Sequence, residues 1–295
     1  MRVATRTIYD MVKFNLARIT EQLNRANRVA TTGKRIATPS DDPTGLQQTL
    51  NIRSSVSNIG QIRRNINMGK AWLAASESAL NNILDLISDT KALSVQMSTS
   101  TTNAEQRALA AKDVQNALKE IISLANTEID GRYIFSGSKT DTTPFDQDGT
   151  YHGDGNGFKI KIGRDATVEV GSAGSDVFQP SGAGNNGDIF RAMNDLKNAL
   201  EADNGPGIQQ AIENLDDLFN HISVKISDIG SKMKRMEVKE NILQDLKIAN
   251  TERLAGIEDA DITEAITDLR AKELAYQAAL ASSAQVMKLS LVDYL

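Results

Sequence analysis

The chain has no cysteine among its 295 residues, which excludes disulfides, thiolate zinc sites and iron–sulfur clusters. Histidine is nearly absent as well. His152 and His221 are the only two, and they lie far apart in sequence, whereas a metal site or a histidine-dependent nucleophile needs converging ligands. Aromatic residues make up 4% and hydrophobic residues 40%, a lean supply that suits layered helices better than a compact enzyme core. The net charge of −5 lacks the basic excess of a nucleic-acid binder. No apolar run approaches the roughly 20 residues of a membrane span. Arg2, Arg6, Asp10, Lys13 and Arg18 interrupt the start, so no signal-peptide core forms there. Export would need a route that accepts an uncleaved beginning.

What the chain does have is periodicity. Tyr9, Val12, Leu16, Ile19, Leu23, Ala26 and Ala30 step by three and four near the start. Ile262, Ile266, Leu269, Tyr276, Leu280 and Met287 do the same near the end, with Glu273 and Ser283 in the remaining slots. Such spacing lays one apolar stripe along a helix and specifies a coiled-coil seam. Each stripe needs a partner, and the two ends are each other's first candidates. Residues 1–35 carry eight basic side chains against Asp10 and Glu21. Residues 252–295 carry eight acidic ones against Arg253, Arg270, Lys272 and Lys288. Flanks of opposite sign predict pairing of the ends.

Gly33 stops the first helix. The stretch GKRIATPSDDP, Gly33 to Pro43, is a bent connector, because Pro39 and Pro43 lack amide donors and bias the residues before them away from helix. Asp41 and Asp42 stand where they can cap the next helix, with Pro43 in its first turn. That helix is long, built on Ile52, Val56, Ile59, Ile66, Leu73, Leu80, Leu84 and Ile87. Arg63, Lys70 and Glu77 occupy seam slots, where polar groups lower stability and help to fix register. Trp72, beside the seam, is a packing anchor. The run Ser98 to Asn103 breaks the helix, and Thr102 with Glu105 has the form of a capping box that starts another, which carries Val114, Leu118, Ile121 and Ala125 and ends at Gly131.

Composition then turns to Gly, Asp, Thr and Ser. Phe158, Ile160 and Ile162 alternate with lysines, and Val168 and Val170 repeat the two-residue period, so residues 137–187 are expected to hold roughly four short strands. Helix returns at Asp188 with Ile189, Met193, Leu196 and Leu200. From Ile208 through Ile212, Leu215, Phe219, Ile222, Ile226, Ile229, Met233 and Met236 the seam is unbroken until Glu240. This helix is the expected mate of residues 44–98. Gly256 and the run Glu258 to Asp261 separate it from the terminal coil. The fold class is mainly α: a long antiparallel coiled-coil body, paired N- and C-terminal coils and a small β-rich insertion. By region, residues 1–40 and 256–295 form a terminal assembly domain, 41–136 and 188–255 the long-helix body, and 137–187 the outer insertion.

No catalytic, cofactor-binding or metal-binding constellation emerges. Asp146-x-Asp148-Gly149 begins like a calcium loop but lacks the later acidic ligand and the flanking helices, so it is a turn. Gly153-x-Gly155-x-Gly157 precedes a strand, not the helix N-terminus that phosphate cradling requires.

The start, with its coil followed by GKRIATPSDDPTGL, resembles the N-terminal region of the bacterial flagellin family. The end, IEDADITEAITDLRAKELAYQAALASSAQVMKLSLVDYL, is similar to that family's C-terminal coil. Within the family, the PSDDP connector and DGRYIFSGSKT, Asp130 to Thr140, look most like the member that joins hook to filament. The resemblance covers well over half the chain. It implies a structural flagellar component outside the cell, exported unfolded by the flagellar type III apparatus without a cleaved signal. It implies a homo-oligomeric ring with a hook-side junction protein and flagellin as neighbours, an export chaperone, no cofactor, no enzymatic activity, no nucleic acid and no membrane insertion. Tyr9 to Ala30 and Ile262 to Tyr294 would line an inner coiled-coil tube, with the long helices outside it and residues 137–187 projecting outward. The assembly interface is accordingly expected at Tyr9, Val12, Leu16, Ile19, Leu23, Ile262, Ile266, Leu269, Tyr276, Leu280 and Met287. Isolated helices are marginal in water, so residues 1–35 and 256–295 are expected to be largely disordered in the monomer and to fold on assembly. The alternatives are the filament subunit of the same family and, more distantly, a secreted ligand-binding module in the insertion, which would need a concave pocket with converging polar groups.

Overall fold

Helix boundaries in the computed structural model follow local chemistry. It describes the backbone of residues 2–99, 102–163, 165–185 and 187–292, and their side chains except those of 2–6, 8 and 286–292. Helix α1 (Arg2–Thr32) ends where Gly33 takes a left-handed φ of 68° and its amide donates to the Val29 carbonyl at 2.9 Å. Helix α2 (Pro43–Met97) opens on Asp42, whose Oδ1 accepts from the Gly45 amide at 2.8 Å. Gly45 must stay small there, since a Cβ would press into Asp42 and come within 2.6 Å of Ile36 Cδ1.

The break between α2 and α3 (Ala104–Ala125) differs from the expected one. The Thr102 hydroxyl donates to the carbonyls of Thr99 at 2.7 Å and Met97 at 3.0 Å, closing the end of α2. The cap of α3 therefore falls one residue later: Asn103 accepts from the Gln106 amide at 2.8 Å, and Gln106 accepts from the Asn103 amide at 3.1 Å. Ser100 and Thr101 of the expected breaking run lie outside the described residues. Helix α3 also stops at Ala125 and does not reach Gly131. Asp130 and Gly131, with φ of 50° and 73°, instead form the two-residue turn of a hairpin between β1 (Glu128–Ile129) and β2 (Arg132–Tyr133).

Residues 137–187 contain two short strands where about four were expected. Strand β3 (Lys159–Lys161) pairs antiparallel with β4 (Thr167–Glu169), Ile160 opposite Val168, both buried. Among the described residues the rest is loop, plus the short helix α4 (Gly174–Phe178). Polar side chains hold these loops in place of a ladder. Asp154 accepts from the Ser138 amide at 2.7 Å and from its hydroxyl at 2.5 Å. The Tyr151 hydroxyl accepts from the Gly174 amide at 3.1 Å and sits within 2.9 Å of the Asp154 carbonyl, and burial pushes its pKa up to about 12. Phe145 is the hub of an aromatic cluster, 4.8 Å from Phe190 and edge-on to Phe178 at 5.5 Å.

Asp188 caps α5 (Ile189–Glu201), and α6 (Gly205–Glu258) follows after a short turn. Gly256 does not interrupt α6, and the break falls at Asp259 to Asp261, before α7 (Ile262–Val292). The chain forms two units, residues 59–244 and residues 1–58 with 245–295, so the division falls inside α2 and α6 and not at their connectors. In the first unit, the seam residues Ile59, Ile66, Leu73, Leu80 and Ile87 of α2 join Val114 and Ile121 of α3, Met193 and Leu196 of α5 and Leu215, Ile222 and Met236 of α6 in one core. Two of the polar seam residues of α2, Arg63 and Lys70, meet polar groups of α6 there. Lys70 Nζ lies 3.1 Å from Glu240, Arg63 donates to Gln244 at 2.7 Å, and Lys91 binds Asp216, which sets α2 antiparallel to α6. Trp72 is buried against Phe158, with ring centroids 5.5 Å apart.

Candidate assembly interface

In the unit formed by residues 1–58 and 245–295, α1 and α7 pack as an antiparallel pair. The most buried apolar side chains on the pair are small, Ala26 at 5% exposure and Ala265 at 8%. Val12, Leu16, Ile19 and Leu23 on α1 and Leu269 and Tyr276 on α7 are half-buried. Tyr9, Ile262, Ile266 and Leu280, drawn from the same two stripes, are exposed. The side chain of Met287 and all of Tyr294 lie outside the described residues. The covered line of α7 thus runs Ala265, Leu269, Lys272, Tyr276, Ala279 and Ser283, while Ile262, Ile266 and Leu280 form a second line beside it. One stripe in the sequence is two lines on the helix, and the α1–α7 pair covers only one.

Further exposed apolar side chains were not signalled by the spacing. Met11, Phe14 and Leu274 are each at least 60% exposed, and all lie off the three-four series. A single-stripe template discards such residues. Their signal was the count of apolar residues on α1 and α7, which exceeds what one seam can use.

The expected charge pairing holds only at the connectors. Lys34 binds Glu258 at 2.5 Å, whereas Arg25 pairs at 3.1 Å with Asp41 of its own end, and no ion pair joins α1 to α7 among the described residues. The nearest acid to Lys272 is Asp268, on its own helix at 3.8 Å. Most of the acidic excess sits in the connector, at Glu258, Asp259 and Asp261, and not along the coil. A groove of 350 Å³ runs beside the alanines, floored by Ala26, Val29 and Ala265 and rimmed by Arg25, Asp268 and Lys272.

Asp41 is not a helix cap but the knot of the first connector. Its Oδ2 accepts from the amides of Thr38 at 2.9 Å and Ala37 at 3.1 Å and from the Thr38 hydroxyl at 3.0 Å. The Thr38 amide, followed by the Ala37 amide, the Thr38 hydroxyl and Arg25, holds its carboxyl below the usual range, against a raising effect of burial. The residues weighed for chemistry are engaged locally. Asp146 makes an Asx-type turn with the amides of Asp148 and Thr150 and lies 3.2 Å from His152, and His221 donates to the Asp176 carbonyl at 2.9 Å. Among the described residues no helix is long and apolar enough to cross a membrane.

Two family models match the chain. The bacterial flagellin N-terminal helical region matches residues 3–140, and the bacterial flagellin C-terminal helical region matches residues 212–295. Flagellar hook-associated protein 3 of Escherichia coli is 23% identical over 312 aligned residues, spanning 99% of this chain and 98% of that protein. A flagellin of Listeria monocytogenes is 22% identical over 288 residues, spanning 97% and 95%. The crystal structure of flagellar hook-associated protein 3 from Legionella pneumophila shares the fold, with a TM-score of 0.62 at 18% identity over 70% of this chain and 99% of that one. With both terminal helical regions matched over about three quarters of its length, the chain belongs to the bacterial flagellin family, and it is a structural component of the flagellum.

Proposed function

We propose that the protein is the junction subunit between hook and filament, a ring of copies held together through α1 and α7. The observation that carries this reading is the half-covered coil: Tyr9, Met11, Phe14, Ile262, Ile266, Leu274 and Leu280 stay exposed on helices whose only fully buried apolar side chains, among the described residues, are Ala26 and Ala265. Apolar surface of that extent on one helix pair marks a surface for other chains. Similarity to hook-associated protein 3, 23% identical over 99% of this chain, supports the junction reading. In this reading the residues 1–40 and 256–295 assemble, 41–136 and 188–255 form the outer helical layer, and 137–187 project outward. Tyr9, Val12, Leu16, Ile19 and Leu23 of α1 and Ile262, Ile266, Leu269, Tyr276, Leu280 and Met287 of α7 bury themselves within and between copies. Contacts of this kind are heterologous, and they close into a ring when the rotation between copies permits. The neighbours are a hook-side junction protein and flagellin. Export is by the flagellar type III route with a chaperone, the site of action is extracellular, and there is no enzymatic activity.

Immunogold electron microscopy of intact flagella tests the position. Label confined to the boundary of hook and filament is expected. Label along the whole filament would assign the chain to the filament subunit instead.

A further inference from the structure

The two connectors, which the sequence marks only as breaks, are stitched together. Lys34 and Asp259 form an antiparallel bridge, with the Arg35 amide donating to the Glu258 carbonyl at 2.7 Å and the Ala260 amide to the Gly33 carbonyl at 2.8 Å. Arg35 Nη2 adds a bond to the Ile257 carbonyl at 2.9 Å. Glu258, the last residue of α6, is only 2% exposed. A single oxygen, Oε1, accepts both from Lys34 Nζ at 2.5 Å and from Arg53 Nη2 of α2.

A carboxylate withdrawn from water persists only when it is paired and hydrogen-bonded. A methionine of similar size would fill the same space without that demand. The charge therefore serves some end beyond packing. Lys34 and Arg53 are 43% and 46% exposed, and exposed cations have little cause of their own to hold one conformation. The buried oxygen imposes it, and so ties the first connector and α2 to the end of α6.

This knot lies where α1 stops and α7 starts. Asp261, three residues on, caps α7 by accepting from the Thr263 amide at 2.8 Å and the Glu264 amide at 3.2 Å. A slip of one residue along a helix turns its faces by about 100°. Pinning residues 33–35 to 257–260 thus decides which line of α7 faces α1 and which is left exposed. The geometry points to Glu258 as a positioning residue for assembly, one that fixes the register of α1 against α7 and with it the apolar line offered to another copy. The inference rests on the assembly role proposed above.

Amide exchange of the full-length protein, followed by addition to purified hook ends, tests it. Glu258→Met keeps the volume and removes the charge; Glu258→Asp keeps the charge on a shorter stem. The Met variant should exchange at least tenfold faster in peptides covering 33–42 and 259–272, with peptides from 66–87 and 208–222 unchanged, and should add poorly to hooks. The Asp variant should recover part of both. Wild-type protection of the connectors in the Met variant, equal loosening at 208–222, or an Asp variant no better than Met would each overturn the positioning role. The exchange arm stands apart from the hook assay: a wild-type chain with protected connectors that never adds to hooks counts against the junction reading, not against Glu258.

Discussion

Within residues 59–244, Ile66, Leu80, Ile87, Ile121, Leu196, Leu215 and Ile222 have no accessible surface, and they touch across α2, α3, α5 and α6. In the unit of residues 1–58 and 245–295, the buried apolar side chains among the described residues are Ala26, Ile36, Ile52 and Ala265. Both units are built on long amphipathic helices, so helix formation does not separate them. What separates them is how much of the apolar face finds a partner within the chain. Burying one Leu or Ile yields roughly 1.5–3 kcal/mol, and an alanine far less. The first unit holds its partners within the chain. The second leaves Phe14, Ile262, Leu274 and Leu280 in water, a state that helices tolerate only when they are weakly folded or covered by another molecule.

The largest break in this comparison comes from removing residues 1–35 and 256–295. The remaining chain should keep a single cooperative thermal transition, since its core is intact, and should lose incorporation into flagella entirely. Calorimetry and microscopy of cells expressing the truncated protein read both. A truncated chain that still assembles would show that the exposed apolar lines are not the assembly surface.

Single substitutions sharpen the contrast by a smaller amount. Ile222→Ala leaves a cavity in the closed core and should cost about 2–5 kcal/mol, a fall in Tm of about 4–20 °C. Leu280→Asp should leave that transition in place, because Leu280 is already exposed, yet abolish assembly by placing a charge in the proposed assembly surface. Melting curves of the two variants beside an assembly assay make the test. A Leu280→Asp chain that assembles normally, or one that melts as early as Ile222→Ala, would erase the distinction between the units.

The same contrast explains what could be read in the residues alone. The long seams of α2 and α6 were legible because every slot from Ile208 to Met236 is filled by a residue that ends up buried or half-buried. The polar slots Arg63 and Lys70 were legible as seam residues but not as partners of Glu240, because pairing depends on how two distant helices align. The cap of α3 slipped by one residue because Thr102 was taken by the end of α2, a competition invisible in a four-residue motif. In residues 137–187, side-chain bonds from Asp154 and Tyr151 hold loops that alternation alone presents as strands. On α7, Ile262, Ile266 and Leu280 share the spacing of Leu269 and Tyr276 but not their burial. Three-four spacing marks a face without saying how wide it is or how many partners it meets.

The smallest expected effect lies at Asp41, and it tests how far the open unit depends on its connector. The folded carboxyl titrates below the ordinary value of 3.8, chiefly through the Thr38 amide. A depressed carboxyl contributes stability that is fully present above the unfolded pKa and is lost as pH falls through the folded one. Protection of the Ala37 and Thr38 amides should therefore be constant from neutral pH down to about 5 and decline below 3.8. Asp41→Asn removes the titrating group, so the difference between wild type and variant should shrink over that acid window and nowhere else. Hydrogen exchange corrected for intrinsic rates measures it, peptide by peptide. The closed unit supplies the control, because peptides from 208–222 belong to a separate unit and should show no difference between the two chains at any pH. A wild-type–variant difference that persists unchanged below the folded pKa would mean that the Asp41 side chain shapes the connector by packing and not by its charge.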